Sequence, residues 1–143
     1  MSHENRAILD RLNEEVLRQG NADAVDELLS AGFVEHEPPQ GMAGDREGFK
    51  DFIRGIHQAF ADQLHTVHDQ IVDGDRVVER WTMTATHAGE FIGIPATGRR
   101  ITLSGIDISR VEDGRIAEHW TECDMLGLLE QLGAIPAQGA VGS

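Results

Sequence analysis

Tyrosine is absent from the 143 residues of this chain, and cysteine occurs once, as Cys123. A single cysteine excludes an intrachain disulfide, which fits a reducing compartment. The lack of tyrosine excludes every mechanism that needs a phenol as hydrogen-bond donor. No apolar run is long enough to span a bilayer, and the first residues, MSHENRAILDRLNEE, lack the apolar region of a signal peptide. We therefore expect a cytoplasmic protein.

Basic residues are also few. Twelve Lys and Arg stand against 25 Asp and Glu, which gives a formal net charge of −13. Such a surface repels phosphate backbones and anionic lipids, so we expect neither a nucleic-acid nor a membrane partner.

Apolar residues recur at helical spacing in the N-terminal part of the chain. The pattern predicts a first helix from Ser2 to about Gln19, closed by Gly20, and a short second helix capped by Asn21. The segment AGFVEHEPPQGMAG (31–44) is expected to be a loop, with a short extended piece from Phe33 to Glu35. A third helix, capped by Asp45, is the strongest helical signal. Its apolar face is formed by Phe49, Phe52, Ile53, Ile56 and Phe60.

The period then changes from helical to alternating. Two hairpins are predicted, one turning at DGDR (73–76) and one at VEDGRI (111–116), followed by a short helix that Gly133 closes. Helices followed by an antiparallel meander indicate an α+β fold, here a cone of about four long curved strands with three N-terminal helices around a pocket. We expect one domain over residues 1–136 and a flexible tail over 137–143.

Three stretches resemble the SnoaL-like polyketide cyclase, or ester cyclase, family of the nuclear transport factor 2-like superfamily. They are GEFIGIPATGR (89–99), DISRVEDGRIAEHW (107–120) and DMLGLLEQLG (124–133), preceded by the loop motif FVEHEPP (33–39). The resemblance implies an intramolecular aldol condensation on a polyketide ester, without a cofactor. It further implies that Asp124 removes the acidic proton and that His36 lines the pocket. The family's second pocket histidine is missing from ITLSGIDISRV (101–111), whose polar candidates are Asp107 and Arg110.

Two roles are predicted for Asp124, helix capping and catalysis, and one residue can fulfil both. At a strand-to-helix junction it is a natural N-cap for the helix that begins at Met125. Alternation along the preceding strand also places it on one face with Ile116 and Trp120, with His119 facing away. In a closed apolar cavity beside a tryptophan its pKa would rise, which would make it a better base for a carbon acid.

The remaining candidates would shape the substrate pocket. His36 is either a solvated loop residue or a donor to a developing oxyanion. Trp81 and Trp120 are either core residues or flat walls for a polycyclic substrate. The other candidate pocket residues are Phe33, Phe52, His87, Phe91, Asp107 and Arg110. For His87 a structural role is favoured. For Arg110 the alternative to a substrate contact is a structural ion pair with a neighbour such as Glu118.

No histidine or cysteine pairing has the spacing of a metal site, so we expect neither metal nor cofactor. Asp107, Arg110 and Asp124 also supply the residue types of an epoxide-hydrolase-like relay, although those enzymes use a tyrosine. A non-catalytic protein that binds a small hydrophobic molecule is a further alternative. The half-apolar open face of the sheet predicts a homodimer.

Overall fold

The computed structural model describes residues 2–39 and 41–136, and it begins with a helix whose geometry changes midway. Helix α1 (Ser2–Arg11) continues as a π-helical segment (Leu12–Arg18). Leu9, Leu12 and Val16 are buried, as the apolar stripe predicts. Gly20 ends the segment with φ +75°, and its N–H donates to the carbonyl of Val16 at 3.0 Å.

Two side-chain caps start the following helices. Asn21 accepts a hydrogen bond from the backbone N–H of Asp23 at the start of a 3₁₀ turn (Ala22–Ala24), which leads into α2 (Val25–Leu28). Asp45 caps α3 (Arg46–Ala59) by accepting from the N–H of Gly48 at 2.8 Å. Both predicted caps are confirmed.

The sheet has five strands in the order β1-β5-β4-β3-β2. They are β1 (Leu29–Glu35), β2 (Phe60–Asp73), β3 (Arg76–His87), β4 (Arg100–Glu112) and β5 (Arg115–Cys123). Strand β1 contains the extended piece predicted from Phe33 to Glu35, begins earlier, at Leu29, and pairs parallel to β5 at the sheet edge. The two predicted hairpins and the final helix α4 (Met125–Gln131) are confirmed.

The two faces of the sheet differ. The inner face packs against the helices and carries the odd-numbered residues of β3 and β4, among them Val77, Met83 and Ile101, all buried. One apolar cluster joins this face to α1, the π-helical segment and α3. A second cluster lies under α4 and the loop after β3, where Phe91 and Ile94 close that end of the fold. The even-numbered residues of β3 and β4 form the outer face.

No helix within the described part of the chain is long and apolar enough to cross a membrane.

Candidate active site

A row of polar side chains crosses the mainly apolar inner face of the sheet. We call these side chains the polar row. It consists of Gln70 from β2, Glu79 from β3, Asp107 from β4, Thr121 and His119 from β5, and Glu35 from β1. The strand register pairs Gln70 with Glu79, Glu79 with Asp107, Asp107 with Thr121 and Glu35 with His119. Burying polar groups costs free energy unless they are paired, so a buried polar row of this length is a candidate functional site.

His119 lies at the centre of the row, between two carboxylates. Its Nδ1 is 2.6 Å from Oε1 of Glu35, and its Nε2 is 3.3 Å from Oδ2 of Asp107. The side chains of all three residues are largely buried, with exposures of 11% for His119, 9% for Glu35 and 15% for Asp107. The rings of Phe49 on α3 and His119 are in edge-to-face contact, with 6.4 Å between their centroids.

The two carboxylates decide the protonation of His119. Burial alone lowers the pKa of an imidazole, but hydrogen bonds and charge attraction from Asp107 and Glu35 outweigh it and raise the pKa of His119 to about 10. His119 is therefore an imidazolium near neutral pH, and both of its ring nitrogens donate.

Asp107 is held in its charged form by the same contact. Burial raises its pKa, but hydrogen bonds from His119 and Thr121, the charge of His119 and the nearby indole N–H of Trp81 together lower it below the ordinary value. The indole nitrogen of Trp81 is buried without a hydrogen bond of good geometry among the described residues. The site thus combines the carboxylate of Asp107, the cation of His119 and the indole N–H of Trp81.

A β-bulge reverses the side-chain alternation that the sequence predicted for β5. Val111 pairs with Ile116 and Arg110 pairs with Glu118, which leaves Ala117 as the extra residue. Ile116 is on the inner face, but beyond the bulge the inner positions are His119 and Thr121. The prediction that His119 faces away from the cavity is therefore wrong, and so is the placement of Trp120 with Ile116.

Asp124 caps helix α4. Its Oδ1 accepts from the backbone N–H of Gly127 at 2.9 Å, which confirms the capping prediction. The residue is exposed, so the predicted apolar enclosure around it is wrong. It borders a depression of about 360 Å³ on the outer face between β3, β4 and β5, with Arg80, Ile106 and Glu122 also on its rim. The catalytic role of Asp124 stays a prediction.

Replacing Asp124 by alanine removes this cap and should lower the free energy of unfolding by about 1 kcal/mol. Urea denaturation of wild type and Asp124→Ala measures the difference. Asp124→Ser restores a capping oxygen and is the matched control. Equal stability of wild type and the alanine variant would show that the cap contributes nothing.

His36, Trp120 and Arg110 lie together on the outer face. The His36 ring stacks on Trp120 with centroids 4.6 Å apart and 4° between planes, and its Nε2 is 2.9 Å from Oε1 of Glu118. Arg110 pairs with the other oxygen of Glu118, as one sequence alternative proposed, and Arg76 lies 5.1 Å above the Trp120 ring. The contacts with Trp120 and Glu118 thus fix the His36 side chain on the face opposite the polar row.

The remaining candidates lie inside the fold. Trp81 is on the inner face, across Gly105, so the two tryptophans do not share a wall. His87 is fully buried, and its Nδ1 is bonded to Thr97, which supports the structural role favoured from the sequence. Phe33 is buried and contacts Phe49 edge-on, whereas Phe52 and Phe91 are partly buried at the margins of the two apolar clusters.

The structure does not assemble the relay of Asp107, Arg110 and Asp124. Asp107 belongs to the inner face, Arg110 pairs with Glu118 on the outer face, and Asp124 caps α4. In the described part of the chain, no three His, Cys, Asp or Glu side chains are grouped to hold a metal ion.

Comparison with known proteins agrees with this architecture. The family model described as SnoaL-like polyketide cyclase matches residues 7–132. Aklanonic acid methyl ester cyclase DnrD of Streptomyces peucetius is 32% identical over 108 residues, which is 75% of this chain and 72% of that protein. Nogalonic acid methyl ester cyclase of Streptomyces nogalater is 25% identical over 80% of this chain and 87% of its own length.

A solved structure is similar over nearly the whole chain. TsrD from Streptomyces laurentii superposes with a TM-score of 0.80 at 35% identity, covering 91% of this chain and 98% of its own. The resemblance seen in the sequence motifs is confirmed, together with the α+β fold class. The chain belongs to the SnoaL-like polyketide cyclase family.

Proposed function

We propose that this chain is a cofactor-independent cyclase that closes a ring within a hydrophobic carbonyl ester by aldol chemistry. The observation that carries the proposal is the buried imidazolium of His119, held between Glu35 and Asp107 on the inner face. Membership of the family and the similarity to two methyl ester cyclases support the same reaction. The substrate class is accordingly a polyketide-like ester with an acidic C–H between carbonyl groups.

In this mechanism Asp107 is the general base. Its carboxylate takes the proton from the acidic carbon, and the electron pair of the C–H bond moves to the oxygen of the adjacent carbonyl, forming an enolate. The donors around Asp107 lower its pKa, which weakens it as a base. The rate enhancement must therefore come mainly from stabilisation of the enolate.

His119 supplies that stabilisation. Its Nε2–H makes only a long contact to Asp107, at 3.3 Å, so an enolate oxygen that enters the site competes well for this donor. A fixed cation in a water-poor site stabilises a developing negative charge far better than the same charge does in water. Glu35 holds the opposite ring nitrogen and so fixes the ring orientation.

The surroundings of the polar row suit an apolar, planar substrate. Phe49 makes an edge-to-face contact with His119, Phe33 packs on Phe49, and Trp81 lies near Asp107 on the same face. Aromatic side chains make favourable offset or edge contacts with flat rings.

The test is to incubate the purified protein with aklanonic acid methyl ester and nogalonic acid methyl ester. Ring closure by aldol addition gives an isomer, so we expect a new chromatographic peak of unchanged mass, and loss of water in a following step would lower the mass accordingly. Reactions without protein measure spontaneous closure. A ligand that is retained in native mass spectrometry but never converted would identify a binding protein and refute the proposed cyclase.

We also propose that the chain forms a homodimer through the outer face of its sheet, in the cytoplasm. Leu64 and Ile106 are 58% and 50% exposed on that face, and the helices pack on the other. Ile106→Lys should shift the light-scattering mass from dimer to monomer, because a buried unpaired charge disfavours association. A wild-type monomer at micromolar concentration would contradict the proposal.

A further inference from the structure

Glu79 is a buried carboxyl group that the mechanism above leaves without a role. It is 3% exposed, on the inner face of β3, and stands directly opposite Asp107 in the β3–β4 register. Directly opposite residues on neighbouring strands have adjacent side chains on one face. Two carboxyl groups are therefore neighbours inside the fold, one of them held by His119.

The contacts of Glu79 are all to neutral donors. The side-chain amide of Asn13 lies 3.2 Å from Oε1 and 2.9 Å from Oε2, and the amide of Gln70 donates to Oε2 at 2.9 Å. Among the described residues, none forms an ion pair with Glu79. The one cation in the polar row, His119, is already shared by Asp107 and Glu35.

A second negative charge beside Asp107 would be costly in this environment. Burial raises the pKa of Glu79, the hydrogen bonds from Asn13 and Gln70 lower it, and the charges of Asp107 and Asp10 raise it again, so that the pKa lies above its ordinary value. When two adjacent carboxyl groups share one site, one of them keeps its proton more readily. Of this pair, Glu79 is the group that keeps its proton more readily, because its pKa is raised and that of Asp107 is lowered.

We propose that Glu79 is the general acid of the ring closure, donating its proton to the oxygen of the carbonyl that the enolate attacks. This assignment rests on the proposed cyclase function and supplies its second proton-transfer group. The enolate carbonyl re-forms as the C–C bond is made, and the π electrons of the attacked carbonyl move to its oxygen. That oxygen takes the proton of Glu79, so the product is a neutral alcohol.

The same pair restores the starting state. After one turnover Asp107 holds the proton it took from carbon, and Glu79 is a carboxylate. A single proton transfer from Asp107 to Glu79, directly or through one water, returns both groups to their initial forms. No cofactor or external acid is consumed, because the number of protons taken equals the number given.

A depression lies next to Asn13, a residue that binds Glu79. Asp10, Asn13, Glu14 and Arg18, from α1 and the π-helical segment, line a depression of about 210 Å³ together with His65 and Val67 of β2. Asn13 lies in its wall and also holds both oxygens of Glu79. Short π-helical stretches are frequent at functional sites.

The first measurement needs no substrate. Carboxyl ¹³C titration of the labelled protein should give a Glu79 midpoint clearly above the ordinary 4.5, and Asp107→Asn should move that midpoint down because the neighbouring charge is removed. A midpoint at or below 4.5 in the wild type overturns the proposal, whether or not any ester is turned over.

The second measurement separates the two half-reactions. In D₂O, exchange of the acidic C–H reports the base, and ring closure reports both groups. Glu79→Gln should retain exchange above the spontaneous rate while ring closure falls by about 10²- to 10⁴-fold. Asp73→Asn, an exposed carboxyl at the β2–β3 turn, is the control and should retain both.

Each outcome has a definite meaning. If exchange and ring closure fall together in a folded Glu79→Gln variant, Glu79 only positions other groups and the proposal is wrong. If the wild type neither exchanges nor closes the esters, the cyclase function fails, and the general-acid role fails with it. A raised Glu79 midpoint would then remain as a property of the unliganded protein.

Discussion

Asp107→Asn is expected to lower kcat for ring closure by about 10²- to 10⁴-fold, the usual contribution of a general base. The asparagine side chain has nearly the same shape, and its Oδ1 can still accept from Thr121 or His119, but it cannot take up the substrate proton. Exchange of the acidic C–H in D₂O should fall with it. Single-turnover kinetics on the ester that the wild type converts measure the effect on the chemical step.

Asp124→Asn is the matched comparison, because it makes the same chemical change at the residue that the family resemblance selected. On the geometry described above it should keep most of the activity, since its role is the cap of α4 and an asparagine caps well. Loss of activity in Asp124→Asn with full activity in Asp107→Asn would assign the base to Asp124 and overturn the mechanism proposed here. Both variants should be compared at equal folded fraction by near-UV circular dichroism.

Most helices and turns could be predicted because they depend on local sequence signals, and tertiary contacts do not change them. Caps at Asn21 and Asp45, the Asp-Gly turns and the final helix all depend on residues within a few positions of one another. Of strand β1 only the piece from Phe33 to Glu35 was predicted, because its pairing partner, β5, lies more than 80 residues away and its sequence carries no alternation strong enough to indicate the whole strand.

The site was harder to predict because it depends on a single extra residue. Alternation counted from Ile116 is correct up to Ala117, where the bulge reverses it and turns His119 inward. One signal in the sequence could have indicated the polar row. Glu79 alternates with Val77, Trp81 and Met83, so an acidic residue interrupts a face that is otherwise apolar. Such an interruption is costly in a core and is typical of a functional group.

His119 should make the stability of this protein fall steeply at alkaline pH. Its pKa is raised to about 10 in the folded state, against an ordinary 6.5 in the unfolded chain. The folded state therefore binds the proton more tightly, so the stabilisation is complete below pH 6.5 and is lost as the pH rises from there to about 10. At 1.36 kcal/mol per unit, the loss is about 5 kcal/mol at most, comparable with the whole stability of many domains.

His119→Gln removes the titrating group and is the variant that isolates this effect. Without the cation, Glu35 and Asp107 repel each other, so the variant should already be several kcal/mol less stable than wild type at pH 6, on the scale of about 3–5 kcal/mol for breaking a buried ion pair. Between pH 7 and pH 10 the difference between the two proteins should shrink, because only the wild type loses a proton at residue 119 on unfolding. Urea midpoints at pH 6, 8 and 10 measure it, and parallel curves would show that His119 is neutral in the folded protein. A neutral His119 could not stabilise the enolate as a cation, so the same titration tests the electrostatic basis of the proposed catalysis.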